Sequence, residues 1–373
     1  MNHKQRFLRT LQYREVDRAP DYEFGFWAET IERWCTEGLS LKKMYSEASL
    51  IQRNVAVKRY FGFDPSDQFG SYLPLETLPV RSGFWPTLPL RIIGEREERP
   101  VLDDGIGGIY VPIYLGAYYL RYPLKNREDW EKFKPFFHAD TPGRFPLNWD
   151  EVAERCNKLN YPVGIQVGSL YGWLRNWMGV EKISIAFYRD PDWIAEMMDT
   201  LVDLWIKIIR RALQSVKVDF SEWWEDMCYK KGPMISVHHF EEFMVPRYKK
   251  VTDLLKQYGV TINILDCDGD VSLLIPGWLK GGINCMFPLE ASCNDLYRYR
   301  EEFGNNILLM GGVNKIALMK GGIAIDRELE RLTPLLQQGG YIPMVDHAIP
   351  PEVSLENFKY YLKRKREWIG RTD

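Results

Sequence analysis

The chain has 373 residues, with 49 Lys plus Arg against 51 Asp plus Glu and a formal charge of −2. There is no basic excess of the kind a nucleic-acid footprint needs, and no apolar stretch of about 18 residues marks a membrane span. The six cysteines form no CxxC pair and are too few for a disulfide scaffold, and the charged first twenty residues lack the apolar centre of a signal peptide, so reduced thiols in a cytoplasm are expected.

In chain order, Phe7, Leu8 and Leu11 share one helix face through i+3 and i+4 spacing. Pro20 ends that segment, and the aromatic-rich residues 21–27 read as a first strand. Residues 51–61 are helical again. From 64 to 147 proline and glycine are frequent and short β-like runs occur at 89–93 and 108–113, which reads as an irregular insertion carrying a hairpin or two. Regularity then returns. Strands are expected at 162–167, 216–224, 260–265, 283–287, 307–310 and 341–345, with an eighth near 64–72. Helices alternate with them. One opens at Asp190-Pro191 and buries Trp193, Ile194, Met197, Met198, Leu201, Leu204, Trp205 and Ile208; another is capped by Ser236 and stopped by Gly259; the last covers 355–368. Strand-helix alternation implies parallel strands with right-handed crossovers, and a single (β/α)8 TIM-type barrel over 1–373, with the insertion at about 64–147, fits best. An open doubly wound sheet is second, since no GxGxxG follows an early strand.

In such barrels the chemistry gathers where strands end. Five successive strands end in ionisable groups: Glu225 and Asp226; Asp266 and Asp268; Glu290; Lys315; Asp346 and His347. In Asp266-Cys267-Asp268-Gly269 the i, i+2 spacing puts both carboxylates on one side of an extended backbone, where they serve equally as ligands for a hard cation, as an acid/base pair or as helix-capping turn residues. Gly311 and Gly312 leave room for a ligand near the Lys315 cation. After the 162–167 strand, Tyr171, Trp173 and Arg175 are placed to cover a planar or acidic substrate. His347, one of five histidines, follows a strand, whereas His238 and His239 fall in the first turn of a helix, where a solvated role is expected.

Several of these stretches together resemble the uroporphyrinogen decarboxylase superfamily: Trp224-Glu225-Asp226-Met227, residues 232–236, Asp266-Cys267-Asp268-Gly269, Pro288-Leu289-Glu290, and residues 339–342 running into Asp346-His347. The resemblance implies a deep-mouthed (β/α)8 barrel, soluble and, by family habit alone, dimeric. It offers two chemistries. Decarboxylases of the superfamily work on a tetrapyrrole without a cofactor and carry an arginine-rich N-terminal motif; the comparable residues 22–27 here hold Glu23 and Trp27 and no arginine, while His347 matches their late histidine. Methyltransferases of the superfamily serve corrinoid proteins through a His-x-Cys-Gly zinc motif and a later cysteine; here those positions read Asp266, Asp268 and His347, a set suited to a harder metal or to zinc with water. The resemblance puts methyl transfer to a corrinoid first, with Asp266, Asp268 and His347 catalytic or metal-binding, and Glu23, Trp27, Tyr171, Trp173, Arg175, Glu225, Asp226, Glu290 and Lys315 around a small-molecule substrate. Tetrapyrrole decarboxylation and a non-catalytic binding subunit are the alternatives.

Overall fold

The computed structural model describes residues 1–41, 49–66, 75–113 and 116–371. Its centre is a parallel sheet of seven strands: β1 (Glu76–Thr77), β2 (Val163–Gly168), β3 (Phe220–Trp224), β4 (Asn263–Asp266), β5 (Cys285–Phe287), β6 (Leu308–Val313) and β7 (Tyr341–Val345). The strands lie side by side in sequence order. Parallel neighbours need a long return, and helices supply it on the outer face, while strand side chains fill the inner one, so both faces of the sheet are covered. That explains why β7 reads Tyr-Ile-Pro-Met-Val, buried throughout, rather than as an apolar-polar alternation. The strand expected from 216 is laddered only from Phe220; Val216 and Val218 before it are buried among the helices.

One end of the sheet is plugged by α1 (His3–Leu11). Its Phe7 and Leu11 join Leu75, Phe220, Ile264, Phe287, Met310 and Met344 in a single inner cluster. The chain just after α1 is fixed to strand beginnings: the Tyr13 hydroxyl donates to the Ile307 carbonyl at 2.5 Å, and Gly340 N–H donates to the Thr10 carbonyl at 2.8 Å. The opposite end, where the strands finish, is left for the functional side chains.

Among the described residues the ladders do not close an eight-stranded barrel. The sheet is an open half-barrel, and residues 21–27 join it through one parallel bridge, Phe26 to Ile349. The physical reason is that side chains take the backbone groups a ladder would use. Asn54 accepts from Phe26 N–H at 2.7 Å and donates to its carbonyl at 3.0 Å, Lys58 donates to the Phe24 carbonyl at 3.1 Å, and Lys365 to the Tyr22 carbonyl at 2.6 Å. The eighth strand expected near 64–72 falls largely on 67–72, outside the described residues; Asp64 itself is an ion-pair partner of Arg18 at 2.6 Å, and the pairing strand is Glu76–Thr77.

The insertion forms a four-stranded antiparallel sheet, Arg91–Arg96, Arg99–Asp103, Ile109–Ile113 and Gly116–Arg121. Ser236 caps its helix as expected, accepting from His239 N–H at 3.1 Å, and Gly259 stops it at φ 83°. Asp190 precedes the long helix Pro191–Leu213 but does not cap it, because its carboxylate is drawn 2.5 Å from Arg127 instead. His239 is buried rather than solvated, stacked 5.3 Å from Phe187, while His238 is exposed. Among the described residues no helix is long and apolar enough to cross a membrane.

Candidate active site

Strands β3 and β4 run in parallel register, with Trp224 beside Asp266. Each strand therefore releases its chain at the same level, and the acidic residues that follow meet. Carboxylate oxygens of Asp226, Asp266 and Asp268 all lie within 4.8 Å of one another. Asp266 is buried; Asp226 and Asp268 are half-buried. Asp268 N–H donates to Asp226 Oδ1 at 3.2 Å, and Asp268 Oδ1 is buried without a hydrogen-bond partner.

Three carboxylates this close cannot all carry charge in a low-dielectric site. Burial, then the Asp268 charge, pushes the Asp226 carboxyl up to about 6. Burial, then the charges of Asp226 and Asp268, holds Asp266 well above the usual carboxylate range. The group therefore retains protons that isolated aspartates would lose, or exchanges them for a cation.

His347, after β7, brings its Nε2 to 3.6 Å from Asp268 Oδ2. Burial works against the imidazolium, but hydrogen bonding and charge from Asp268 outweigh it, so His347 sits above its ordinary pKa. Phe24 packs edge-on against the imidazole with ring centres 5.5 Å apart, and Trp27 stands 6.5 Å away. Strand ends and the 21–27 segment thus enclose one acid-histidine group.

The other sequence-derived candidates are placed around it. Glu225 and Asp226 are consecutive, yet their side chains separate. The Glu225 carboxylate is fully buried and accepts from Ser169 Oγ, the N–H groups of Leu170, Tyr171 and Gly172, and Tyr248 Oη, at 2.7–3.3 Å. It anchors the first turn of α2 (Tyr171–Met178) to the end of β3. Burial raises its pKa against the pull of the Leu170, Tyr248, Tyr171 and Ser169 donors. Tyr171 is itself fully buried in that turn, and Trp173 packs 5.9 Å from Trp205. Arg175 donates to the Asp226 carbonyl and lies 5.5 Å from the Trp224 ring centre.

Lys315 stands between two acids, 3.4 Å from Glu290 Oε2 and 3.6 Å from Asp346 Oδ1. Glu290 Oε1 accepts from Gly269 N–H at 3.1 Å, which ties the β5 end to the Asp266–Gly269 turn. Asp346 is buried and accepts N–H bonds from Ala291 and Lys315 at 3.0 and 3.1 Å. Glu23 lies apart from the aspartates: its carboxylate accepts from Val345 N–H, Tyr361 Oη and Lys365 Nζ at 2.8, 2.7 and 2.6 Å, all buried. Gly311 lies within β6 rather than after it, and a Cβ there would sit 1.7 Å from the Pro288 carbonyl oxygen, so this glycine admits its own chain.

The donor set suits a divalent cation: three carboxylates on two strand ends, one with an orphaned buried oxygen, all hard oxygen ligands. The residue that sequence reasoning placed at the periphery and geometry places in the cluster is Asp226. Its signal is faint, because adjacent Glu225 looks equivalent. What separates them is a backbone φ of 41° at Asp226, which turns the chain off the strand.

A uroporphyrinogen decarboxylase from Syntrophotalea carbinolica is 24% identical over 188 residues, which are 49% of this chain and 50% of that protein. One from Phenylobacterium zucineum is 21% identical over 185 residues, 48% and 50% of the respective lengths. The chain thus spans about half the length of the curated relatives it matches. A solved structure titled "methyltransferase from Methanosarcina mazei" superposes with a TM-score of 0.60 at 14% identity, covering 99% of both chains, and shares the fold. Residues 115–368 match the family described as "Uroporphyrinogen decarboxylase (URO-D)", so this chain, with its acidic cluster at the strand ends, belongs to that enzyme family.

Proposed function

We propose that this chain removes a carboxyl group from a carboxylated, electron-rich ring by proton transfer at Asp226, Asp266, Asp268 and His347. The observation that carries the reading is the carboxylate cluster, in which burial and like charge keep protons on aspartates near neutral pH beside a histidine. Losing CO2 leaves an electron pair on carbon, and a ring protonated beforehand accepts that pair. The balance is R–COO− plus H+ giving R–H plus CO2. A carboxyl of raised pKa supplies the proton, and the ionised members of the cluster stabilise the cationic ring. Lys315 meets a substrate carboxylate, Glu290 holds that lysine and the Asp268 turn, and Phe24 and Trp27 wall the ring.

The name shared by the curated relatives supplies the substrate class, a carboxylated tetrapyrrole. Among the described residues the mouth is rich in acids, with Lys315 as a cation and His347 held above its ordinary pKa, so rings with few carboxylates turn over faster here than the octacarboxylate. The test incubates the full chain with uroporphyrinogen III and with mono- and dicarboxylated pyrroles, following products by chromatography and released CO2. Stepwise loss of carboxyls, absent in a folded Asp266→Asn variant, is expected. No turnover of any carboxylated pyrrole sinks the reading.

Methyl transfer to a corrinoid protein, which the sequence put first, is the second reading, and the cation-holding capacity of the cluster favours it. Asp226, Asp266 and Asp268 would hold the ion, with His347 against Asp268, and the ion would supply Lewis acidity there. Near-stoichiometric metal in untagged protein, lost in Asp268→Ala, together with methylation of a corrinoid protein, supports this reading over decarboxylation. In either reading residues 21–27 close the open side of the half-barrel by packing rather than by a ladder, supported by the Phe26–Ile349 bridge and by Tyr22 in the inner cluster.

A further inference from the structure

Asp226 occupies a backbone region that side-chain-bearing residues rarely adopt, with φ at 41°. Such a conformation persists where neighbours over-determine it, and functional sites are where it recurs. Here the neighbours can be named. The first turn of α2 is pressed onto the end of β3: a Cβ at Gly172 would lie 2.7 Å from the Glu225 carbonyl oxygen. The Glu225 carboxylate then grips the N–H groups of Leu170, Tyr171 and Gly172. Arg175 stands three residues further along this clamped helix, so the origin of its side chain is fixed. Its guanidinium lies over Trp224, 5.5 Å from the ring centre, which fixes its plane. From there Nη1 donates to the carbonyl oxygen of Asp226, the group that the unusual φ swings out of the ladder. On the far side, Asp268 N–H binds Asp226 Oδ1 at 3.2 Å. Asp226 is held at both ends, by Arg175 at its backbone and by the Asp268 turn at its carboxylate.

We infer that Arg175 is a positioning residue: it locks Asp226 in the left-handed conformation that delivers the Asp226 carboxylate to Asp266 and Asp268. Arg175 Nη1 donates to the protein's own backbone and Nη2 to Asn176 Oδ1 at 3.4 Å, contacts that put this guanidinium behind the cluster. The inference rests on the acid-base reading of the cluster, and its test separates the two.

The test compares the full chain with Arg175→Met and Arg175→Lys, by steady-state kinetics on the best carboxylated pyrrole and by crystal structures. With methionine the carbonyl loses its donor, Asp226 relaxes to negative φ, and kcat falls about a hundredfold, the effect of a misplacement of about 1 Å, while KM changes little. Lysine, which reaches the carbonyl with one ammonium, keeps an intermediate kcat, and guanidinium ion added to Arg175→Gly restores part of the rate. A merely structural role would lower stability without the kcat-selective loss or the rescue. If the wild type turns over no pyrrole, the functional reading falls and the crystal structures alone decide the role of Arg175. If Arg175→Met does not fold, the lysine variant carries the comparison. The inference is overturned if either variant keeps wild-type kcat, or if Asp226 stays at positive φ beside Asp266 and Asp268 in the Arg175→Met crystal.

Discussion

Replacing Asp226 by asparagine stabilises the metal-free protein above neutral pH while ending its chemistry. The magnitude follows from the cluster. Burial, then the charge of Asp268, lifts the Asp226 carboxyl from 3.8 to about 6. That gap corresponds to about 3 kcal/mol between the two protonation states. The folded state holds this proton more tightly than the unfolded chain does. The associated stability is therefore complete below the ordinary aspartate range and is lost as pH rises through the folded value. Asparagine never ionises and escapes the loss. It also tolerates the φ of 41° and keeps an Oδ1 acceptor for Asp268 N–H, so the substitution adds little strain of its own. Urea unfolding in EDTA, at about pH 4 and about pH 8, measures the effect. The variant gains up to about 3 kcal/mol on wild type at the higher pH and much less at the lower. A variant no more stable than wild type at the higher pH would refute the claim that like charges are forced together here.

Other consequences follow from the same structure. Glu23→Ala removes the 2.6 Å carboxylate of buried Lys365, leaving it Asp21 at 3.4 Å, and strips acceptors from Tyr361 and Val345, so unfolding free energy drops by about 3 kcal/mol. Adding Lys365→Met to that variant recovers part of the loss in urea titrations; no recovery would mean that the ion pair is not the cause. Asp268→Asn removes the two largest contributions that oppose burial at His347 and leaves the weaker charge of Glu290, so its pKa falls below the wild-type value; proton NMR of the five histidines follows this directly, and an unmoved His347 resonance would show that the 3.6 Å pair does not operate in solution.

The C-terminal half of the fold is legible in the sequence because buried parallel strands are short apolar runs ended by acids, as in Asn263–Asp266 and Tyr341–Val345. The i, i+2 spacing of Asp266 and Asp268 also anticipates their meeting. Three features resist such reading. Glu76–Thr77 is a strand of two residues, too short for any periodicity. Residues 21–27 look like a strand, but their ladder groups are claimed by Asn54, Lys58 and Lys365, which are far away in sequence. Glu225 and Asp226 are interchangeable on paper, and only the turn at Asp226 sends one carboxylate under α2 and the other into the cluster. Glu23, a candidate substrate contact on paper, is buried as the partner of Lys365, which its position in the sequence does not announce.

The central claim is that Asp226, Asp266 and Asp268 form one proton-holding centre. Carbon-13 NMR titration of the aspartate carboxyls in metal-free protein tests it directly, with Asp226→Asn, Asp266→Asn and Asp268→Asn assigning the signals. Asp226 is expected to titrate near 6 and Asp266 well above the ordinary range, and removing either carboxylate is expected to move the other downward. Three independent titrations in the ordinary aspartate range would contradict it.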